Sequence, residues 1–216
     1  MSIVERMAAA RIIPVIALDE SAKAVPLARA LVRGGLEVLE ITFRTACAAE
    51  AIRRVRAEVP EASVIAGTVL TCAQLAAAQA AGAEACVAPG FDPALVGAAR
   101  AAGMPFCPGI ATASELSQAM ALGCRFVKFF PAEALGGTKT LKALLGAFRG
   151  TGVSFMPTGG VNPANVAEYL SIPEVACCGG TWIVPRDLLQ NEDWEAMATL
   201  AKAAKALTTS GEAKAK

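Results

Sequence analysis

Short apolar runs alternate with longer Ala-rich amphipathic stretches along most of the chain. Eight runs read as strands: IIPVIAL (12–18), VLEITF (38–43), SVIAGT (63–68), ACVAP (85–89), PFCPGI (105–110), FVKFFP (126–131), SFMPTGG (154–160) and VACCGG (175–180). Most carry apolar residues on both faces, as strands covered on two sides require. Between and after them the periodicity changes to that of helices, over 21–33, 47–59, 71–81, 93–102, 112–122, 138–148, 163–170 and 194–207. Gly34-Gly35, Gly82, Gly103 and Gly123 stand where helix C-caps belong, and Ser21, Thr71, Asp92, Thr112 and Asn162 are candidate N-caps.

The pattern therefore predicts eight strand-plus-helix units of about 25 residues each, in the range of a compact (β/α)8 barrel. The expected organisation is one α/β domain, a single (β/α)8 TIM barrel over 1–216. It has a short lead-in (1–11) and a polar C-terminal tail (209–216). A doubly wound open sheet is the rival fold, and the count of eight units favours the barrel. In such a barrel the ligand site lies on the βα loops, at the C-terminal ends of the strands.

Composition narrows the chemistry. With 20 basic and 19 acidic residues the chain has no electrostatic footprint for nucleic acid or an anionic membrane. No segment approaches the roughly 18 apolar residues of a membrane span. The charged N-terminal stretch, with Glu5, Arg6 and Arg11, does not read as a signal peptide, so a cytoplasmic location is expected. The seven cysteines form no C-x-x-C pair and read as reduced, mostly buried thiols rather than metal ligands. There is no histidine at all. Proton transfer thus falls to carboxylate, lysine, tyrosine, cysteine or water, and His-ligated zinc is excluded.

Two charged residues interrupt apolar strands. Of eight lysines, Lys128 alone is enclosed by apolar neighbours, in RFVKFFP, sharing a strand face with Phe126 and Phe130. Burial disfavours an ammonium, and an amine relieved of its charge attacks carbonyls. Residue physics alone leaves a nucleophile and an ion-paired or phosphate-binding lysine equally open. Glu40, between Leu39 and Ile41, is its natural partner. A structural salt bridge is the plainer reading of Glu40, but buried pairs stabilise poorly against apolar replacements, which favours function.

Arg44 follows the same strand at the barrel mouth. It is suited either to hold a carboxylate bidentately or to be an ordinary surface arginine. Thr68, in AGTVL, offers a hydroxyl and loop amides, or simply leads into a helix. PTGGVNPAN (157–165) and GGTW (179–182) put two Gly-rich turns after strands seven and eight, where barrels bind phosphate through backbone N–H groups.

Taken together, LEITFRT, AGTVL, APGFDP, PGIATASEL, VKFFPAE, PTGGVNPAN and GGTWIVP resemble the 2-keto-3-deoxy-6-phosphogluconate aldolase family, whose members often also act on 4-hydroxy-2-oxoglutarate. The resemblance runs from about Ile12 to Trp194. It implies a class I aldolase on a (β/α)8 barrel, a homotrimer without metal or cofactor, acting on a small phosphorylated 2-keto acid. It implies Lys128 as the Schiff-base lysine and Glu40 as the general acid/base. Arg44 and Thr68 would hold the keto-acid carboxylate, Pro89 and Phe130 would wall the pocket, and Thr158 would line it. Gly159, Gly160, Gly179, Gly180 and Thr181 would cradle the phosphate. Two departures stand out. The last loop has threonine where serine is common in the family. Ala17 stands where some relatives carry a strand-one arginine; those relatives can lack the equivalent of Arg44, so its presence points to the gluconate-type enzyme.

Overall fold

In the computed structural model, which describes residues 1–209, the strands are β1 (Ile12–Ile16), β2 (Val38–Thr42), β3 (Ser63–Gly67), β4 (Ala85–Val87), β5 (Phe106–Cys107), β6 (Gly109–Ile110), β7 (Phe126–Phe129), β8 (Ser154–Pro157) and β9 (Cys178–Gly180). The helices are α1 (Ile3–Ala10), α2 (Ala24–Arg33), α3 (Ala48–Glu58), α4 (Cys72–Ala80), α5 (Pro93–Ala101), α6 (Ala113–Ala121), α7 (Gly137–Phe148), α8 (Val166–Leu170), α9 (Arg186–Gln190) and α10 (Trp194–Thr209). All the strand pairings are parallel.

Each of the eight apolar runs contains a strand, but the fifth is split. Proline has no N–H to give a ladder, and Pro108 separates β5, paired with β4, from β6, paired with β7. In place of one expected eight-stranded ladder there is a six-stranded sheet, β5-β4-β3-β2-β1-β9, and a three-stranded sheet, β6-β7-β8. Two isolated parallel bridges, Phe155 to Val175 and Thr158 to Gly179, join β8 to the chain at and just before β9. The result is an α/β fold with a curled parallel sheet.

Period-2 alternation sorts the strand residues into two cores. Ile12, Ile16, Leu39, Ile41, Val64, Ala66, Val127, Phe129 and Phe155 face the helices. Ile13, Val38, Ile65, Ala85, Val87, Cys107, Phe126, Met156 and Cys177 form a separate interior cluster. Ile3 and Met7 of α1 pack into that interior cluster, so the segment 1–11 is more than a lead-in: it closes the N-terminal end of the curled sheet. Its start is set by a capping box in which the Ser2 hydroxyl accepts from the Glu5 amide (3.3 Å) and the Glu5 carboxylate accepts from Ser2 N–H (2.7 Å).

Thr71, Asp92 and Thr112 cap α4, α5 and α6 by accepting the amides of Gln74, Ala94 and Glu115. Ser21 instead opens a 3₁₀ turn ahead of α2, and Asn162 holds a turn four residues before α8. The short α9 lies outside the helical periodicity. Of the polar tail expected from 209, residues 210–216 lie outside the described residues. The seven cysteines are free thiols. Burial pushes the thiols of Cys86 and Cys178 up to about 12, so both stay protonated and inert.

Candidate active site

Interior alternation carries two charged side chains into the core from strands far apart in sequence. Glu40 on β2 follows Val38 inward, and Lys128 on β7 follows Phe126. The two meet as a buried pair with Lys128 Nζ 3.1 Å from Glu40 Oε1, Lys128 being 4% exposed and Glu40 fully buried. Lys128 Nζ also lies 5.5 Å from the centre of the Phe130 ring. The second carboxylate oxygen, Glu40 Oε2, is buried with no hydrogen-bond partner. An unmatched buried carboxylate oxygen is costly in a resting core. It is an acceptor left for something else.

Above the pair, at the C-terminal ends of the strands, is a cavity of about 180 Å³. Eleven of the twelve candidate residues line it: Glu40, Arg44, Thr68, Pro89, Lys128, Phe130, Thr158, Gly159, Gly160, Gly179 and Thr181. Val15 and Val161 complete its wall, unheralded because a valine in an apolar run carries no polar signal. Gly180 is the exception. One step along β9 from inward Gly179, it faces outward, and a Cβ there would sit 1.7 Å from the Trp182 ring. Larger cavities exist elsewhere. One of about 600 Å³ lies at the opposite end, beside α1, and its charged residues Glu5, Arg100 and Arg125 are all exposed. Another, of about 560 Å³, adjoins the site through Val15, Arg44 and Thr181. Neither contains a buried ionisable pair, so chemistry rather than size selects the smaller one.

Arg44 is exposed at the rim but tethered: its Nε donates to Thr42 Oγ1 (3.1 Å), and that hydroxyl donates to the Ile16 carbonyl (2.8 Å). Thr42, buried in β2, therefore fixes the direction of the guanidinium. Thr68 holds a left-handed backbone (φ 56°), a conformation that costs a non-glycine residue about 1–3 kcal/mol and clusters at functional sites.

Gly159 (φ 96°) and Gly160 (φ 81°) are both left-handed, which only glycine adopts freely. Their turn is locked from outside, Asn162 and Asn165 both donating side-chain amides to the Gly160 carbonyl (3.0 and 3.1 Å). The loop after β7 is stitched to it by Ala132 N–H to Thr158 O (2.8 Å) and Glu133 N–H to Gly159 O (3.0 Å). Glu133 in turn accepts the hydroxyl of Tyr169, the chain's one tyrosine, and burial followed by that contact holds the phenol well above its ordinary range. Of these supporting residues only Asn162 stood out in the sequence, as a candidate helix cap; Asn165, Glu133 and Tyr169 gave no signal of their own, because each acts only through a neighbour.

Among the described residues no group of three or more His, Cys, Asp or Glu side chains could hold a metal ion. A buried lysine beside a buried carboxylate that can carry its proton can form and break an imine with a carbonyl substrate. The class of protein defined by this fold and site is the Schiff-base, or class I, aldolase. Residues 3–200 match the family model of KDPG and KHG aldolases, and the chain belongs to that family. The KHG/KDPG aldolase of Escherichia coli K12 is 48% identical over 193 residues, 89% of this chain and 90% of that protein. The 2-dehydro-3-deoxy-phosphogluconate aldolase of Treponema pallidum is 46% identical over 94% of this chain and 95% of its own. Among solved structures, the KDPG aldolase of Legionella pneumophila with pyruvate captured as a covalent carbinolamine superposes with a TM-score of 0.88. It is 42% identical and covers 93% of this chain and 97% of that one.

Proposed function

We propose that the protein cleaves 2-keto-3-deoxy-6-phosphogluconate to pyruvate and glyceraldehyde 3-phosphate through a Schiff base on Lys128. We propose 4-hydroxy-2-oxoglutarate as a second substrate. The observation that carries the reading is the buried Lys128–Glu40 pair with its free carboxylate oxygen under an open cavity.

Glu40 takes a proton from Lys128, and the neutral amine attacks the C2 ketone to give a carbinolamine. Protonation of its hydroxyl by Glu40 releases water and leaves an iminium. Glu40, directly or through water, then accepts the C4 hydroxyl proton. The C4–O electrons form the aldehyde, the C3–C4 bond breaks, and its electron pair neutralises the iminium as an enamine. Glyceraldehyde 3-phosphate departs. Proton return to C3 and hydrolysis release pyruvate and the free lysine. The iminium is the electron sink, so the reaction needs neither metal nor cofactor.

In this reading Arg44 and Thr68 hold the carboxylate, with Thr158, Pro89 and Phe130 shaping the pocket. The phosphate lies on Gly159, Gly160, Gly179 and Thr181. Gly180 joins them through its backbone N–H, a contact that the outward direction of a Cβ there does not bear on. Arg44 supports the gluconate rather than the galactonate substrate. The chain forms one (β/α)8 barrel domain, the two sheets closing across Pro108 and the β8–β9 bridges, and it works as a cytoplasmic homotrimer. No helix among the described residues is long and apolar enough to cross a membrane.

The test is borohydride trapping with pyruvate in the presence of EDTA, alongside turnover of the phosphorylated substrate. A reduced pyruvyl adduct confined to the Lys128 peptide, with turnover unaffected by the chelator, is expected. A folded protein that yields no adduct at saturating pyruvate would return Lys128 to a phosphate-binding or structural role. Arg44→Ala removes a charge-assisted contact worth about 1.5–3 kcal/mol, so KM for the same substrate should rise about 10- to 100-fold with a smaller change in kcat. A KM unchanged in steady-state assays would move carboxylate recognition elsewhere.

A further inference from the structure

Glycines around the cavity are there for different reasons. Gly159 and Gly160 need a left-handed backbone. Gly67, the last residue of β3, does not: it is ordinary, buried strand with no left-handed φ. Alanine would suit its conformation, and a glycine within a strand leaves the sheet weaker than alanine would. What excludes a side chain is the next strand. Gly67 pairs with Thr42 on β2, and a Cβ at Gly67 would lie 2.2 Å from Glu40 Oε1, 2.6 Å from its Cγ and 2.8 Å from its Cδ. The oxygen it would strike is the one held by Lys128 at 3.1 Å. Glu40 is fully buried, and a carboxylate that yields to the methyl can move only toward the cavity it lines, out of its present place against Lys128.

We infer that Gly67 is a positioning residue for the acid/base: the space left by its missing side chain is where the Glu40 carboxylate stands. A carboxylate can then lie deep in the curled sheet against Lys128, with its second oxygen left without a protein partner. The inference rests on the role proposed for Glu40, but the contact on which it depends is independent of that role.

The test is a double-variant cycle. Gly67→Ala should lower kcat about 10²-fold or more, within what a displaced general acid/base loses, with a smaller effect on KM, because the phosphate contacts lie on other strands and only Thr68 of the carboxylate contacts adjoins Gly67. Combined with Glu40→Gln it should be no slower than the slower single variant, since residues acting as one unit are not additive. Thermal unfolding gives a readout that ignores catalysis. Gly67→Ala should lower Tm in the parent chain and cost little in a Glu40→Ala background, where the methyl enters vacated space. If Gly67→Ala does not fold alone, folding of Gly67→Ala/Glu40→Ala carries the same information. Wild-type kcat in Gly67→Ala, multiplying losses in the kinetic cycle, an equal loss of Tm in both backgrounds, or a double variant that fails to fold where Glu40→Ala alone folds would each overturn the inference. A wild-type protein with no turnover and no pyruvate adduct would instead sink the proposed function, leaving the unfolding cycle to decide on Gly67.

Discussion

Lys128→Ala should reduce cleavage of the phosphorylated substrate to background and abolish the borohydride-trapped pyruvyl adduct. The loss is total in kind because the lysine supplies the covalent electron sink itself; nothing else in the cavity can withdraw the C3–C4 electrons. Two complications need separating. Removing the ammonium leaves Glu40 buried without its partner, and breaking a buried pair from one side typically costs about 3–5 kcal/mol. Activity must therefore be compared on protein shown by circular dichroism to be folded at the assay temperature. Lys128→Arg addresses the second: it keeps a positive charge against Glu40, but a guanidinium is not a carbonyl nucleophile at neutral pH. If the lysine served only charge or phosphate, Lys128→Arg should retain much of the activity. The covalent scheme requires both variants to be inactive and unlabelled, and near-normal pyruvate release from Lys128→Ala would end it.

Glu40→Gln should lose about 10²- to 10⁴-fold in kcat, the usual contribution of a placed acid/base and equivalent to about 2.7–5.4 kcal/mol in the barrier. It differs from the lysine variants in what survives. The glutamine amide can still present an oxygen to Lys128, and imine formation needs protons that water can carry slowly. Pyruvate trapping on Lys128 should therefore persist at a reduced rate while aldol cleavage collapses. The structural-salt-bridge reading of Glu40 makes the opposite prediction, with a change in stability and turnover close to wild type. Steady-state kcat and the trapping rate, measured on one preparation, decide between them. The unpartnered Glu40 Oε2 favours the first outcome, since a bridge kept only for stability has no reason to leave a buried acceptor unsatisfied.

Much of this was legible in the chain because the signals are local. Short apolar runs identified the eight strands, period-2 alternation put Lys128 on one face with Phe126 and Phe130, and left-handed glycines do follow helices at Gly35, Gly82, Gly103 and Gly123. What was missed follows from the same locality. The Ser2–Glu5 capping box marks α1, but its burial depends on the interior cluster that it covers. Pro108 sits inside an apolar run, and only the pairing of β5 and β6 with different neighbours shows that it divides the strand. Gly179 and Gly180 are indistinguishable as a pair of letters. The register of β9 against β1 turns one inward and the other onto Trp182. Gly67, read in AGTVL as part of a strand end, owes its identity to a residue on the next strand.

The sequence by itself determined the inventory: no histidine, one lysine and one glutamate set into apolar strands, and glycine-rich turns at two strand ends. Those follow from composition and from a two-residue period, which need no knowledge of distant chain. Only the tertiary structure decided that Glu40 and Lys128, 88 positions apart, share a 3.1 Å contact, and that one carboxylate oxygen is left free. The curl of the parallel sheet brings β2 and β7 face to face across the interior, and a side-chain period says which way a residue points but not what it meets.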